Sequence, residues 1–195
     1  MDSAMTLYEL LLMLHVFAAI IWLGAGFVFT VMLVLARRED DKAREASYHA
    51  DIDRLATLLF IPAAMATFAF GLLAAIEGSW DFGQTWIMIG IVGWLVSFLI
   101  GILYFKPESE KISALAEQGE AGMAEAMTRS KRMTAVDNFE LTVLYVVAAA
   151  MVLKPTGDDP GVLIALAAVL VLVAFLNARA LDGSGADPVS APNAP

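Results

Sequence analysis

Two ionisable side chains fall inside long apolar runs: His15 in "LHVFAAIIWLG" (Leu14–Gly24) and Glu140 in "VDNFELTVLYVV" (Val136–Val147). An imidazole in such a setting has three chemical uses: axial ligation of a haem iron, ligation of a metal such as Cu(I), or proton transfer. It can equally be a structural residue held by a hydrogen bond from a neighbouring helix. The helical face of His15 continues through Ala18, Ala19, Trp22 and Gly26. Those small residues leave room for a flat macrocycle, which Trp22 would flank, or for another helix. The other histidine, His49, falls in a polar loop. A haem would therefore take its second ligand from a methionine or a second subunit, or leave that position open. Met13, Met88 and Met151 lie at depths matching His15, and their thioethers with the imidazole also suit Cu(I). Ten methionines in so apolar a chain serve as packing too. Glu140, about one turn into its run, either pairs with Arg129, Lys131 or Arg132 at the membrane surface or relays protons.

Other chemistries lack their residues. There is no cysteine, so disulfides, thiolate metal sites and cysteine nucleophiles are excluded. No glycine-rich phosphate loop, His-Glu-x-x-His pair or Ser-His-Asp constellation occurs. A net charge of −9 gives nucleic-acid binding no electrostatic support.

What must position His15 and Glu140 is a membrane bundle. Of 195 residues 59% are hydrophobic, in blocks long enough to cross a bilayer. We read an all-α, polytopic transmembrane bundle with spans at Leu7–Ala36, Leu55–Ile76, Trp86–Phe105, Val136–Leu153 and Val162–Ala178. The opening "MDSAMTLYEL" has no basic n-region or small-residue cleavage site, so the first span is a retained helix. Residues 1–155 form a four-helix core domain, 156–180 a fifth helix, and 181–195, rich in Gly, Pro, Ala and Ser, a disordered cytoplasmic tail. Eleven of the twelve Lys and Arg flank the spans on one side, and only Lys154 falls on the other. The positive-inside rule then puts the N-terminus outside and the C-terminus inside, in an inner membrane.

The loop "EGSWDFGQTW" (Glu77–Trp86) carries no base; its Trp80, Phe82 and Trp86 suit the aromatic belt, and Glu77 and Asp81 cap a turn. The segment "SEKISALAEQGEAGMAEAMTRSKRM" (Ser109–Met133) reads as a helical hairpin lying against the inner leaflet, broken at Gly119 and Gly122. "TAVD" (Thr134–Asp137) has the spacing of a helix start, and Pro155 that of a helix stop. Small-residue stripes at Ala63, Thr67, Gly71, Ala75 and at Gly93, Ser97, Gly101 predict that the second and third spans pair through them. Pro62 predicts a bend.

Taken together, "LHVFAAIIWLGAGF", "IPAAMATFAFGLLAAIEGSWDFGQTW", "YFKPESEKI" and "MVLKP" resemble the predicted bacterial integral membrane proteins of domain of unknown function 2269, over residues 7–155. That resemblance implies a four-helix core and no defined activity. The opening pattern of His15, Trp22 and Gly24 is also similar to copper-resistance D membrane proteins and HemJ-type protoporphyrinogen oxidases. The HemJ likeness implies haem binding at His15, but the Pro-Arg element of that type is missing after Trp22. Three functional expectations result: a bundle binding b-type haem through His15, a permease-like protein for a metal ion or small solute, or a non-catalytic subunit docking a membrane partner or a second copy.

Overall fold

The computed structural model describes residues 5–38, 47–48, 51 and 54–183. Among these residues there are helices and turns and no strand. The order is α1 (Leu7–Arg38), a π-helical turn (Ala56–Phe60) running into α2 (Ile61–Glu77), then α3 (Thr85–Ile100). A second π-helical turn (Gly101–Phe105) joins α3 to α4 (Lys106–Ala116); α5 (Glu120–Leu153) and α6 (Pro160–Gly183) follow. Among the described residues five helical stretches are long and apolar enough to cross a membrane: Leu7–Ala36, Thr57–Glu77, Thr85–Ala116, Glu120–Leu153 and Pro160–Leu181. They coincide in number and order with the expected spans. The expected disordered tail lies, from residue 184 on, outside the described residues.

Each π-helical turn precedes a proline, Pro62 in α2 and Pro107 in α4. A proline ring clashes with the carbonyl four residues back and offers it no N–H. Widening the preceding turn relieves both faults without ending the helix. The bend expected at Pro62 is thus a wide turn within a continuous helical path.

α1 and α2 are antiparallel and closely packed. Trp22 (7% exposed) is buried with Ala63, Ala64 and Leu144, and Leu23, Phe60 and Trp94 close around them. α5 is the hub, touching α1, α3, α4 and α6. Gly26 faces Leu141, and Thr30 bonds Asp137, which sets α5 antiparallel to α1. α6 packs along α5, where Asn177 Nδ2 donates to the Ala135 carbonyl at 2.8 Å.

The small-residue stripes find different partners from those expected. The stripe on α2 receives α1, with His15 on Gly71 and Trp22 on Ala63. The stripe on α3 receives α5, with Val147 on Gly93 and Met151 on Gly90. A Cβ at Gly101 would meet nothing within 4 Å. Between α2 and α3 stand rings instead: Phe68 stacks on Trp94 at 4.1 Å, Trp94 on Phe98 at 5.0 Å, and Trp94 Nε1 donates to the Ala64 carbonyl at 2.9 Å. Rings of that size hold the helices too far apart for backbone contact. Trp94→Phe keeps the stack and removes the donor. Because the Ala64 carbonyl retains its helix bond, the expected loss is about 1 kcal/mol, measured by denaturant titration in mixed micelles.

The polar hairpin also differs from expectation. α3 through α4 forms one helical path of 32 residues, and α5 is uninterrupted over 34. Each is about 50 Å long, against about 30 Å of hydrocarbon. The hairpin therefore stands off the end of the bundle rather than lying flat. The chain turns at Gly119 (φ 67°), but Gly122 is inside α5. Nor does a helix start at "TAVD": Thr134 is mid-helix, its hydroxyl donating to the Ser130 carbonyl at 2.9 Å. Ile112 and Ala126 are fully buried along the seam with Met133, and Arg129 ties it by bonds of 2.7 Å to Glu108 and 2.8 Å to Glu125.

At the opposite end α5 stops as expected. Lys154 takes the left-handed conformation (φ 47°) before Pro155, and its Nζ lies 4.4 Å from the Trp80 ring and 5.1 Å from Trp86. Asp81 caps its turn through the Gly83 N–H at 2.8 Å. In the α5–α6 loop, the Thr156 N–H and hydroxyl hold the Asp159 carboxyl below the usual carboxylate range.

Candidate functional site

α1 begins with a reciprocal cap that fixes its entry. The Thr6 N–H and hydroxyl donate to Glu9 Oε2 at 2.8 and 2.9 Å, and the Glu9 N–H donates back to Thr6 Oγ1 at 3.2 Å. Nine residues on, about 13 Å along the axis, the partly buried His15 turns toward α2. Its Nδ1 lies 2.7 Å from the Thr67 carbonyl oxygen. A carbonyl can only accept, so Nδ1 carries the proton, and in the neutral ring Nε2 carries the lone pair. Among the described residues no partner occupies Nε2.

Gly71 makes that bond reachable. In a helix the side chain at position i+4 lies over the carbonyl of position i. At Gly71 there is none: a Cβ would stand 2.7 Å from Nδ1 and 2.8 Å from Cε1 of His15. The imidazole occupies that notch. Thr67, 8% exposed, turns its hydroxyl to the Ala63 carbonyl at 2.8 Å and keeps clear of it.

The other expected site residues are dispersed around this centre. Trp22 is on the same face two turns on, committed to the core. Met13 (39% exposed) and Met88 (46%) point out of the bundle, and Met151 ends on Gly90. Among the described residues no group of three or more His, Asp or Glu could hold a metal. His49 lies outside the described residues.

Glu140 is at the other end. The pairing expected with Arg129 is not made, because that guanidinium lies eleven residues from Glu140 and serves Glu108 and Glu125. Lys131 and Arg132 are exposed. Glu140 instead faces Ser97 of α3 and its own neighbour Asp137, which accepts the Thr30 hydroxyl at 2.7 Å. Asp137, Thr30 and Ser97 were not singled out as site residues by sequence reasoning. The i, i+3 spacing of Asp137 and Glu140 within an apolar run was the available signal, and reading Asp137 as a helix start concealed it.

An all-helical bundle with five spans and ionisable groups inside it is an integral membrane protein of the polytopic class. Within that class the chain belongs to the family described as predicted integral membrane protein (DUF2269), whose model matches residues 9–155. α6 lies beyond the matched segment. No curated protein and no solved structure matches the chain.

Proposed function

We propose that the bundle binds a redox cofactor, b-type haem, with Nε2 of His15 as an axial ligand. The observation that carries this reading is the bond from Nδ1 to the Thr67 carbonyl. It fixes the tautomer, sets the plane of the ring and raises the basicity of the other nitrogen, as the outer partners of metal-bound histidines do. His15 would hold the iron, Thr67 and Gly71 would orient the imidazole, and a bound haem would supply one-electron chemistry. The charge asymmetry supports a bacterial inner membrane with the N-terminus outside.

The test is the absorption spectrum of protein purified from haem-replete cells. The wild type is expected to show a Soret band that His15→Ala abolishes while retaining its elution volume. A colourless wild type would overturn the proposal. Copper retention lost on substituting Met13, Met88 or Met151 would instead favour a permease-like role. A stoichiometric co-purifying protein with neither ligand would favour a partner subunit.

A further inference from the structure

We propose that Asp137 and Glu140, with Thr30 and Ser97, form a proton-binding site inside the membrane, separate from His15. Glu140 is thirteen residues from the end of α5 at Leu153, about 20 Å along the axis, and so lies within the roughly 30 Å of hydrocarbon. Asp137 is one turn further. A carboxylate taken out of water needs a cation, donors or a proton.

Lys131 and Arg132, the cations of α5 nearest the pair, are exposed, and others around it are engaged elsewhere. Of the elements packed on α5, α4 brings Lys111, which bonds Glu108 at 3.4 Å. α6 brings Arg179, which lies 4.4 Å from the Phe175 ring. On α5 itself Arg129 is paired with Glu108 and Glu125, and Lys154 is among tryptophans at the far end. α1 and α3 present hydroxyls to the two carboxyls, Thr30 to Asp137 and Ser97 to Glu140.

Two features of these hydroxyls point to a proton. Ser97 is 4% exposed and its hydroxyl lies within reach of the Glu140 carboxyl, yet its Oγ completes no hydrogen bond of full geometry among the described residues. It is a buried donor and acceptor awaiting a partner, against the strong tendency of buried polar groups to be satisfied. Thr30 Oγ1 lies 2.7 Å from Asp137 Oδ2 and 3.1 Å from the Gly26 carbonyl. One hydroxyl proton cannot serve two acceptors well. Both contacts are satisfied together when Asp137 bears a proton and donates to Thr30, which then donates to Gly26. With Asp137 ionised, Thr30 must turn its proton to the carboxylate. The hydroxyl is thus a two-position relay beside a carboxyl pair.

The proposal is independent of haem binding and is tested on the full chain in native membranes with dicyclohexylcarbodiimide, an apolar reagent for protonated carboxyls. Modification mapped by mass spectrometry is expected at Glu140 and absent in Glu140→Gln. It should fall about tenfold per pH unit once the carboxyl has released its proton, and be indifferent to Na⁺ or K⁺. Infrared spectra should lose one protonated-acid carbonyl band in Glu140→Gln and another in Asp137→Asn, both variants keeping the wild-type elution volume. Protection by Na⁺ or K⁺ would overturn the proposal in favour of a metal-cation site. An unmodified Glu140 in folded protein, with no protonated-acid band, would overturn it outright.

Discussion

Gly122→Ala is expected to pry open the α4–α5 hairpin while leaving the transmembrane helices in place. A Cβ at position 122 would run into the carbonyl oxygen and carbon of Leu115, the penultimate residue of α4, with Gln118 Cβ close behind. These are two backbone atoms and a Cβ, which cannot swing aside as a side-chain tip can. The turn between Ala116 and Glu120 must widen, and α4 must lift from α5. Overpacking of this kind costs about 1–3 kcal/mol, sometimes more. It falls on a seam where Ile112 and Ala126 have no exposure and where Arg129 joins the two helices. Limited proteolysis in membranes should therefore cut between Ala116 and Gly122 much faster than in the wild type. The control is Gly157→Ala, where nothing lies within 4 Å of the added carbon; it should leave the cleavage pattern unchanged. Cleavage of Gly122→Ala at the wild-type rate would mean that the hairpin tolerates a wider turn than its contacts indicate.

Gly119 and Gly122 also show what sequence could reveal. By residue type both are helix breakers, and only Gly119 breaks the helix. Gly119 breaks because its own backbone angles are those of a glycine, a local property. Gly122 is needed because α4 returns against it, and that approach exists only once the turn is built. The same distinction runs through the molecule. The five spans were legible because bilayer thickness imposes a length of apolar helix that composition alone displays. The stripes on α2 and α3 were legible as places of close approach, but a glycine does not state which helix approaches it. Their partners, α1 and α5, are set by Phe68 and Trp94, whose rings keep α2 and α3 apart. "TLYE" at Thr6–Glu9 is a capping box in plain sight, whereas "TAVD" has a similar spacing and lies mid-helix, because α5 begins fourteen residues earlier. That longer helix also carries Arg129 about 16 Å from Glu140 along its axis, which removes the ion pair expected between them.

The stability of the α1–α2 seam and the haem ligation proposed for His15 meet at Gly71, and Gly71→Ala is expected to damage both. The new methyl would fall within 2.8 Å of two imidazole atoms, so the ring has to leave its notch. Thr67 loses little, since its carbonyl keeps the helix bond from the residue-71 N–H. The cost falls on His15, left with an unpaired N–H in apolar surroundings. Steric and polar penalties of this kind together come to about 2–4 kcal/mol. Unfolding in mixed micelles measures the sum, and a double-mutant cycle isolates its origin. In a His15→Ala background the methyl has no ring to displace, so Gly71→Ala should there cost little or even stabilise α2 through better helix propensity. The spectrum should follow the same logic. If Nδ1 and its carbonyl hold the ligating nitrogen in place, Gly71→Ala shifts or bleaches the Soret band without touching His15 itself. An equal cost of Gly71→Ala in both backgrounds would place the ring outside the notch, and the imidazole would then have no fixed orientation from which to hold an iron.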